Sequence, residues 1–213
     1  MLIRLSILFL ILLTNIKDKF FTMGKQGSLV KRLTDVIFSA LVLLLTSPIL
    51  LLVALAIKFE SKGPVLFIQE RTGLSGKIFK LYKFRGMVDN ATCYGPELTQ
   101  VDDPRITKVG KFLRRTSIDE IPNFINVISG DMSIVGPRPE IISITKNYNE
   151  ELRQVFDYKP GITGYSQING RQMLSPKQRT QMEIYYYSSN NFWSDLIIVL
   201  KTVVVVITNH GNN

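Results

Sequence analysis

The run Val36 to Ile57, VIFSALVLLLTSPILLLVALAI, holds 22 residues without a charged side chain, and any fold this chain adopts must give that run an apolar environment. It is long enough for a helix to cross a bilayer. Its middle, Thr46-Ser47-Pro48, complicates a straight span. A proline there removes one backbone hydrogen bond and crowds the preceding turn, so a kink is expected at Pro48, with Ser47 satisfying a freed carbonyl. Positive charge flanks both ends, Lys31 and Arg32 before the run and Lys58, Lys62 and Arg71 after it, whereas it ordinarily gathers on one side of a membrane. The pattern predicts a re-entrant helix-break-helix that enters and leaves one leaflet, and a single straight span is the competing reading.

Residues 1–30 read as an N-terminal extension, 31–58 as the re-entrant membrane helix and 59–213 as one compact domain. Within the extension, Leu5 to Leu13 is apolar but too short to span, and no small-residue cleavage site follows it. Met23 offers a second start, so residues 1–22 are either a peripheral anchor or a mis-assigned start.

A net charge of +9 alongside 46% hydrophobic residues favours anionic membrane surfaces or phosphate-bearing ligands. Nucleic acid is excluded as a partner class, because basic nucleic-acid-binding domains seldom carry such apolar runs and no zinc pattern, aromatic RNA-binding motif or repeat is present. One cysteine, Cys93, rules out an intrachain disulfide framework, and one histidine, His210, makes a His-based triad or metal site untenable. Chemistry here must rest on carboxylates, Arg and Lys.

Beyond Glu60 the composition is that of a soluble α/β domain. A strand is expected from Val65 to Gln69, a turn at Gly73-Leu74-Ser75-Gly76 and a returning strand from Ile78 to Phe84. Helices are expected up to Arg115, from Ile121 to Ile128, from about Glu140 to Phe156, from Ser175 to Ser188 and from Phe192 to about Ile207, with Asp157 to Arg171 irregular. The last helix is apolar nearly all round and belongs on the membrane or under the core.

Asp119 and Glu120, in LRRTSIDEIPNF behind Arg114 and Arg115, are the pair best suited to covalent or metal-assisted phosphoryl chemistry. A plain structural role competes on even terms. Ser117 to Glu120 matches a capping box, and Arg115 with Asp119 has the spacing of a helical ion pair. Pro122 weakens the capping reading, since proline belongs at a helix's first position; that placement leaves both carboxylates just outside a helix N-terminus. Gly136-Pro137-Arg138-Pro139 holds one arginine between two prolines, which suits bidentate phosphate recognition, or is an exposed turn with an incidental arginine. Lys83 and Arg85 offer further phosphate contacts or form a solvated strand end beside anionic headgroups. Glycines at 161, 164 and 170 around Gln167, Asn169 and Arg171 allow close backbone approach to a ligand.

Three segments, LTDVIFSALVLLLTSPILLLVALAIKFESKGPVLFIQERTGLSGKIFKLYKFRGM, DDPRITKVGKFLRRTSIDEIPNFINVISGDMSIVGPRPE and KPGITGYSQINGR, resemble the bacterial sugar transferase family, the monotopic polyprenyl-phosphate phosphoglycosyl transferases. The resemblance covers about Lys31 to Val205 with the motifs in family order. It implies an α+β, mostly helical fold: a re-entrant membrane helix broken at Ser47-Pro48, then a cytosolic catalytic domain with a small β-hairpin and amphipathic membrane-surface helices. It further implies Asp119 as nucleophile, Glu120 as a Mg²⁺ ligand, and Arg114 and Arg138 gripping phosphate. Lys83, Arg85, Gln167, Asn169 and Arg171 complete the expected substrate contacts. The donor would be a UDP-sugar, expected to be N-acetylated, the acceptor undecaprenyl phosphate, and the product UMP together with the lipid-linked phosphosugar that initiates a surface polysaccharide or glycoconjugate. The setting implied is the cytoplasmic face of the bacterial inner membrane, with lipid, downstream glycosyltransferases and a second copy of the chain as partners.

Two departures bear on sugar specificity and on C-terminal docking. Tyr165-Ser166 stands where the family more often has an aromatic-alanine pair, and ITNHGNN is less basic than the usual C-terminal segment. No larger N-terminal membrane bundle is present, so the chain reads as a minimal catalytic form. Two other classes compete: a non-catalytic membrane scaffold of a polysaccharide assembly system, which needs none of the acidic residues, and a conventional glycosyltransferase, which would release UDP.

Overall fold

A computed structural model describes residues 28–100, 102–170, 174–189 and 192–208. The N-terminal stretch that offers two starts and Arg171 lie outside the described residues.

The apolar run forms the middle of helix α1, Leu29–Glu60, which at 1.5 Å per residue is about 48 Å long. Ser28 caps its start by accepting a hydrogen bond from the Lys31 N–H. The chain stays helical through Thr46-Ser47-Pro48 and does not divide into the two half-helices expected from the sequence. The hydrogen bonding explains why. Proline leaves the Leu44 carbonyl without its amide donor, and the Ser47 hydroxyl donates to that same oxygen at 2.8 Å. Thr46 adds a bond to the Val42 carbonyl. The role expected of Ser47 is therefore present, while the break it was to accompany is not.

Both ends of α1 are fastened to the rest of the molecule and its middle is bare. Near the start, buried Asp35 accepts from the Ser133 hydroxyl at 2.7 Å, Lys31 pairs with Asp195, and Arg32 donates to the Ile128 carbonyl. Near the end, Val53 and Ile57 pack with Phe84 and Leu113, and Glu60 accepts from the backbone of Lys108. Between them Leu44 is 70% and Leu45 75% exposed, with Leu41, Ile49, Leu51 and Leu52 also exposed. Among the described residues α1 alone is long and apolar enough to cross a membrane.

The expected hairpin is present as β1, Leu66–Thr72, and β2, Ile78–Phe84, antiparallel with Leu66 opposite Phe84 and Glu70 opposite Lys80. The turn between them uses left-handed Ser75 and Gly76. Helix α2 is Lys108–Thr116, and α3 is Asn123–Ser129 behind Pro122. Buried Asn126 on α3 acts as a surrogate strand for β2, its amide donating to the Lys80 carbonyl at 2.7 Å and accepting from the Tyr82 N–H at 3.2 Å.

A second, parallel pair joins β3, Ser133–Val135, to β4, Gly161–Thr163, so the stretch expected to be irregular contains a strand and a short helix, α6, Tyr165–Ile168. The single helix expected over Glu140 to Phe156 is broken into α4, Ile142–Thr145, α5, Glu150–Arg153, and a 3₁₀ turn. Asn149 causes the interruption: its side chain accepts from the Leu152 N–H and starts a new helix there. Helix α7, Pro176–Tyr187, opens on a Ser175/Gln178 capping box. The last helix, α8, Phe192–Thr208, buries Ile198 against Val135 and Tyr187 while Trp193, Ile197, Leu200 and Val204 stay exposed.

Candidate active site

Four elements converge on one cluster. Strand β2 carries Lys83, α2 carries Arg114, the 3₁₀ turn Ile118–Glu120 carries Asp119 and Glu120, and the loop after β3 carries Arg138. Lys83 Nζ lies 2.6 Å from Glu120 Oε1, and an Arg138 guanidinium nitrogen lies 3.8 Å from the same oxygen.

The capping-box alternative does not form. Ser117 ends α2 in the left-handed region, at φ 56°, and its backbone carbonyl, not its hydroxyl, accepts from the Glu120 N–H. This reversal also breaks the helical register that would pair Arg115 with Asp119, and no ion pair joins them among the described residues. What remains is a carboxylate pair presented just ahead of Pro122 and α3, as its position in the sequence suggests.

Burial pushes the Asp119 carboxyl up, and the neighbouring Glu120 charge pushes it further, to about 6; Lys83 and Arg114 pull it down. The outcome is a carboxylate more basic than an ordinary aspartate yet ionised at neutral pH, which is what a nucleophile toward phosphorus requires.

Both prolines beside Arg138 are pinned through their carbonyls: that of Pro137 accepts from the Gly161 N–H at 2.9 Å, and that of Pro139 from Arg71 at 3.0 Å. Arg71 also donates to Gln69 Oε1. In the sequence Arg71 reads only as a flanking charge, yet it braces the loop that aims Arg138. The one available signal was strand alternation, which puts Gln69 and Arg71 on the same face of β1.

Other expected contacts lie elsewhere. Arg85 is buried and spends its guanidinium on the elbow after α1, donating to the Ser61 carbonyl and hydroxyl at 2.9 Å each and to the Lys62 carbonyl. Its guanidinium thus fastens the end of α1 to the elbow that follows it. Arg85→Met, of similar volume, should leave those carbonyls unmatched and lower stability by about 1–3 kcal/mol, seen as a drop in melting temperature without loss of activity per folded molecule. Gln167 donates to the Ile162 carbonyl and Asn169 to the Tyr165 carbonyl, bonds internal to the β4–α6 turn. Neither side chain has a hydrogen bond or ion pair to the Asp119 cluster among the described residues.

For a metal, no group of three or more acidic, Cys or His side chains exists among the described residues. Mg²⁺ characteristically takes one or two carboxylates and fills its octahedron with water and substrate phosphate oxygens, so adjacent Asp119 and Glu120 are a chemically suitable donor set.

The chain matches the family model described as bacterial sugar transferase over residues 26–209. The chain belongs to the bacterial sugar transferase family. Among similar members of that family, the UDP-glucose:undecaprenyl-phosphate glucose-1-phosphate transferase of Escherichia coli K12 is 50% identical over 151 residues, covering 67% of this chain and 31% of that protein. The UDP-N-acetylgalactosamine-undecaprenyl-phosphate N-acetylgalactosaminephosphotransferase of Aeromonas hydrophila is 41% identical over 65% of this chain and 34% of its own length. The uncharacterized sugar transferase EpsL of Bacillus subtilis is 40% identical over 74% of this chain and 77% of its own length. The match thus spans about a third of the Escherichia coli and Aeromonas relatives.

Proposed function

We propose that this sugar transferase moves a sugar 1-phosphate from a UDP-sugar to undecaprenyl phosphate by way of a phosphosugar-aspartyl intermediate on Asp119. The observation that carries the reading is geometric: a half-buried carboxylate pair, Asp119 and Glu120, set ahead of Pro122, with Lys83 and Arg138 both reaching Glu120 and burial and Glu120 raising the basicity of Asp119.

In the first half-reaction an Asp119 carboxylate oxygen bonds to the sugar-bearing β-phosphorus. The bridging P–O bond breaks, and its electron pair leaves on UMP. In the second, an oxygen of undecaprenyl phosphate attacks that phosphorus and the acyl-phosphate bond breaks, which restores the carboxylate. Arg138 and Arg114 bind and orient the phosphoryl oxygens, and Lys83 neutralises Glu120. Glu120, with Asp119 beside it, would hold Mg²⁺, which supplies charge neutralisation on the donor's phosphates when bound.

Membrane placement belongs to the mechanism. The residues packed against the end of α1 include Phe84, Leu113 and Ile118, each the chain neighbour of a site residue, namely Lys83, Arg114 and Asp119. The carboxylate is thereby attached to the apolar helix beside which a lipid-borne phosphate must arrive. One-sided insertion is supported by the fastening of both ends of α1 to the same domain, through Asp35 and Ser133 at one end and Glu60 and Lys108 at the other. A helix crossing the bilayer would put those ends on opposite sides. Positive charge at both ends supports a cytoplasmic side, and the inner membrane is where undecaprenyl phosphate would be met. Downstream glycosyltransferases would consume the product.

The relatives' names divide between glucose and N-acetylgalactosamine, so the N-acetylated donor expected from the sequence is one arm of the test. Full-length protein in detergent, given Mg²⁺ and a panel of UDP-sugars without acceptor, should gain the mass of one phosphosugar and release UMP stoichiometrically. Adding undecaprenyl phosphate should discharge the adduct. Release of UDP, or turnover without any adduct, would overturn the covalent reading.

A further inference from the structure

Arg138 is carried by a loop that is tied down through its backbone on both sides. The Gly161 N–H on β4 fixes the Pro137 carbonyl at 2.9 Å, Arg71 fixes the Pro139 carbonyl at 3.0 Å, and the Thr72 N–H reaches the Glu140 carbonyl at 3.4 Å. The Glu140 carboxylate is engaged separately, by Arg179 of α7, with 2.9 Å between the charged atoms and side chains only 9% and 16% exposed. The chemistry proposed above makes no use of that pair.

Arg179 is not the only cation near Glu140. Arg138 stands two residues before it in a loop without helix, and a residue that precedes proline is held extended, a backbone that sets side chains two apart on one face. Arg71 senses both neighbours: burial and then the Arg138 charge push its guanidinium down to about 10, while Glu140 pulls it up. Three guanidiniums thus share the neighbourhood of one buried carboxylate. We propose that Arg179 is a positioning residue for the transfer: by occupying Glu140 it keeps Arg138 turned toward Glu120 and the donor phosphate. Without it, Arg138 would collapse onto the carboxylate two residues away. The inference rests on the phosphosugar-transfer reading above and deepens it.

Three observations carry it. Arg138, Glu140 and Arg179 line one narrow cleft with room for about a single water molecule, so solvent does not replace Arg179 as the partner of Glu140. A buried carboxylate deprived of its cation is costly and draws in another. Arg71 is a poor substitute, because its two terminal nitrogens already bond the Pro139 carbonyl and Gln69. Arg138 is the ready one: its side chain is 34% exposed, and it lies 3.8 Å from Glu120, longer than a hydrogen bond, so little opposes its turning away.

The test measures UMP release by full-length protein in detergent with Mg²⁺, undecaprenyl phosphate and whichever of UDP-glucose and UDP-N-acetylgalactosamine wild type uses better. Arg179→Gln should lower kcat/KM about tenfold to a hundredfold. Adding Glu140→Gln should recover most of that loss, because no buried charge is left to draw Arg138 away. In an Arg138→Ala background Arg179→Gln should change kcat/KM by less than about twofold, since the residue it acts through is gone. Should Arg179→Gln alone not fold, the double variant, which leaves neither charge unpaired, must still come within about threefold of wild type. An Arg179 that only supports the fold gives the reverse: the second substitution leaves the loss unrepaired or deepens it, and the loss persists without Arg138. Either of those results, or an Arg179→Gln protein as active as wild type, overturns the inference with the transfer reading intact. Absence of UMP release from every donor by wild type would remove both.

Discussion

Asp119→Asn should abolish UMP release, by roughly a thousandfold or more, and at the same time make the protein more stable. The first effect follows from its role: an amide oxygen does not form the acyl phosphate. The second follows from the sign of the pKa shift. Burial and Glu120 raise the folded-state value to about 6, above the ordinary aspartate value near 4, so the folded protein binds this proton more tightly than the unfolded chain. Ionising Asp119 therefore opposes folding. The penalty is absent below about pH 4, grows as pH rises to about 6 and is complete above that. Removing the charge at pH 8 should add about 1–3 kcal/mol, a rise of several degrees in melting temperature, whereas at pH 4 the two proteins should melt together. The melts belong in EDTA, where no divalent cation offsets the charge. In wild type, assayed with Mg²⁺, the acid limb of kcat/KM should fall at or below about pH 6. A melting temperature at pH 8 equal to or below wild type would refute the claim that the site is held against its own electrostatics.

The parts of this fold legible in the sequence are those whose causes are local. Gly73 and Gly76 mark the hairpin because only a turn needs them, and Pro122 marks the start of α3 and so the position of Asp119 and Glu120 ahead of it. The carboxylate pair itself was ambiguous, since its spacing fits a capping box equally well. The left-handed Ser117 removes the capping box, and that conformation has no sequence signature. The breaks at Pro48 and across Glu140 to Phe156 went the wrong way for one reason. Each depends on a single side-chain hydrogen bond, Ser47 to Leu44 repairing a helix and Asn149 to Leu152 restarting one, and composition does not reveal which polar residue will bond locally. Least legible were buried polar groups with distant partners. Asp35 meets Ser133 across 98 residues, and Arg85 turns back to Ser61 across 24.

Gly110→Ala should be severely disruptive. Helix α2 crosses the end of β2 so closely that a Cβ at Gly110 would stand 2.0 Å from the Gly86 carbonyl oxygen and 2.7 Å from its Cα. Those atoms are backbone, and the same carbonyl already accepts from the Thr107 N–H, so no rotamer relieves the clash. The helix must move outward by more than about 1 Å, which in a packed interior costs about 3 kcal/mol or more. The movement would be felt at the site, because Arg114 lies four residues on, along the same helix face, and its Nε would be only 3.4 Å from a Cβ built on Gly86. A displacement of that size at a catalytic group lowers rates by about a hundredfold. The folded fraction of Gly110→Ala should therefore show both a depressed melting temperature and slow UMP release. Gly76→Ala is the matched control: its φ of +75° makes alanine unfavourable by about 1–2 kcal/mol, but nothing lies within 4 Å of the added methyl group, so activity should be retained. If Gly110→Ala melted no lower than Gly76→Ala and kept full activity, the close crossing would not be what positions Arg114.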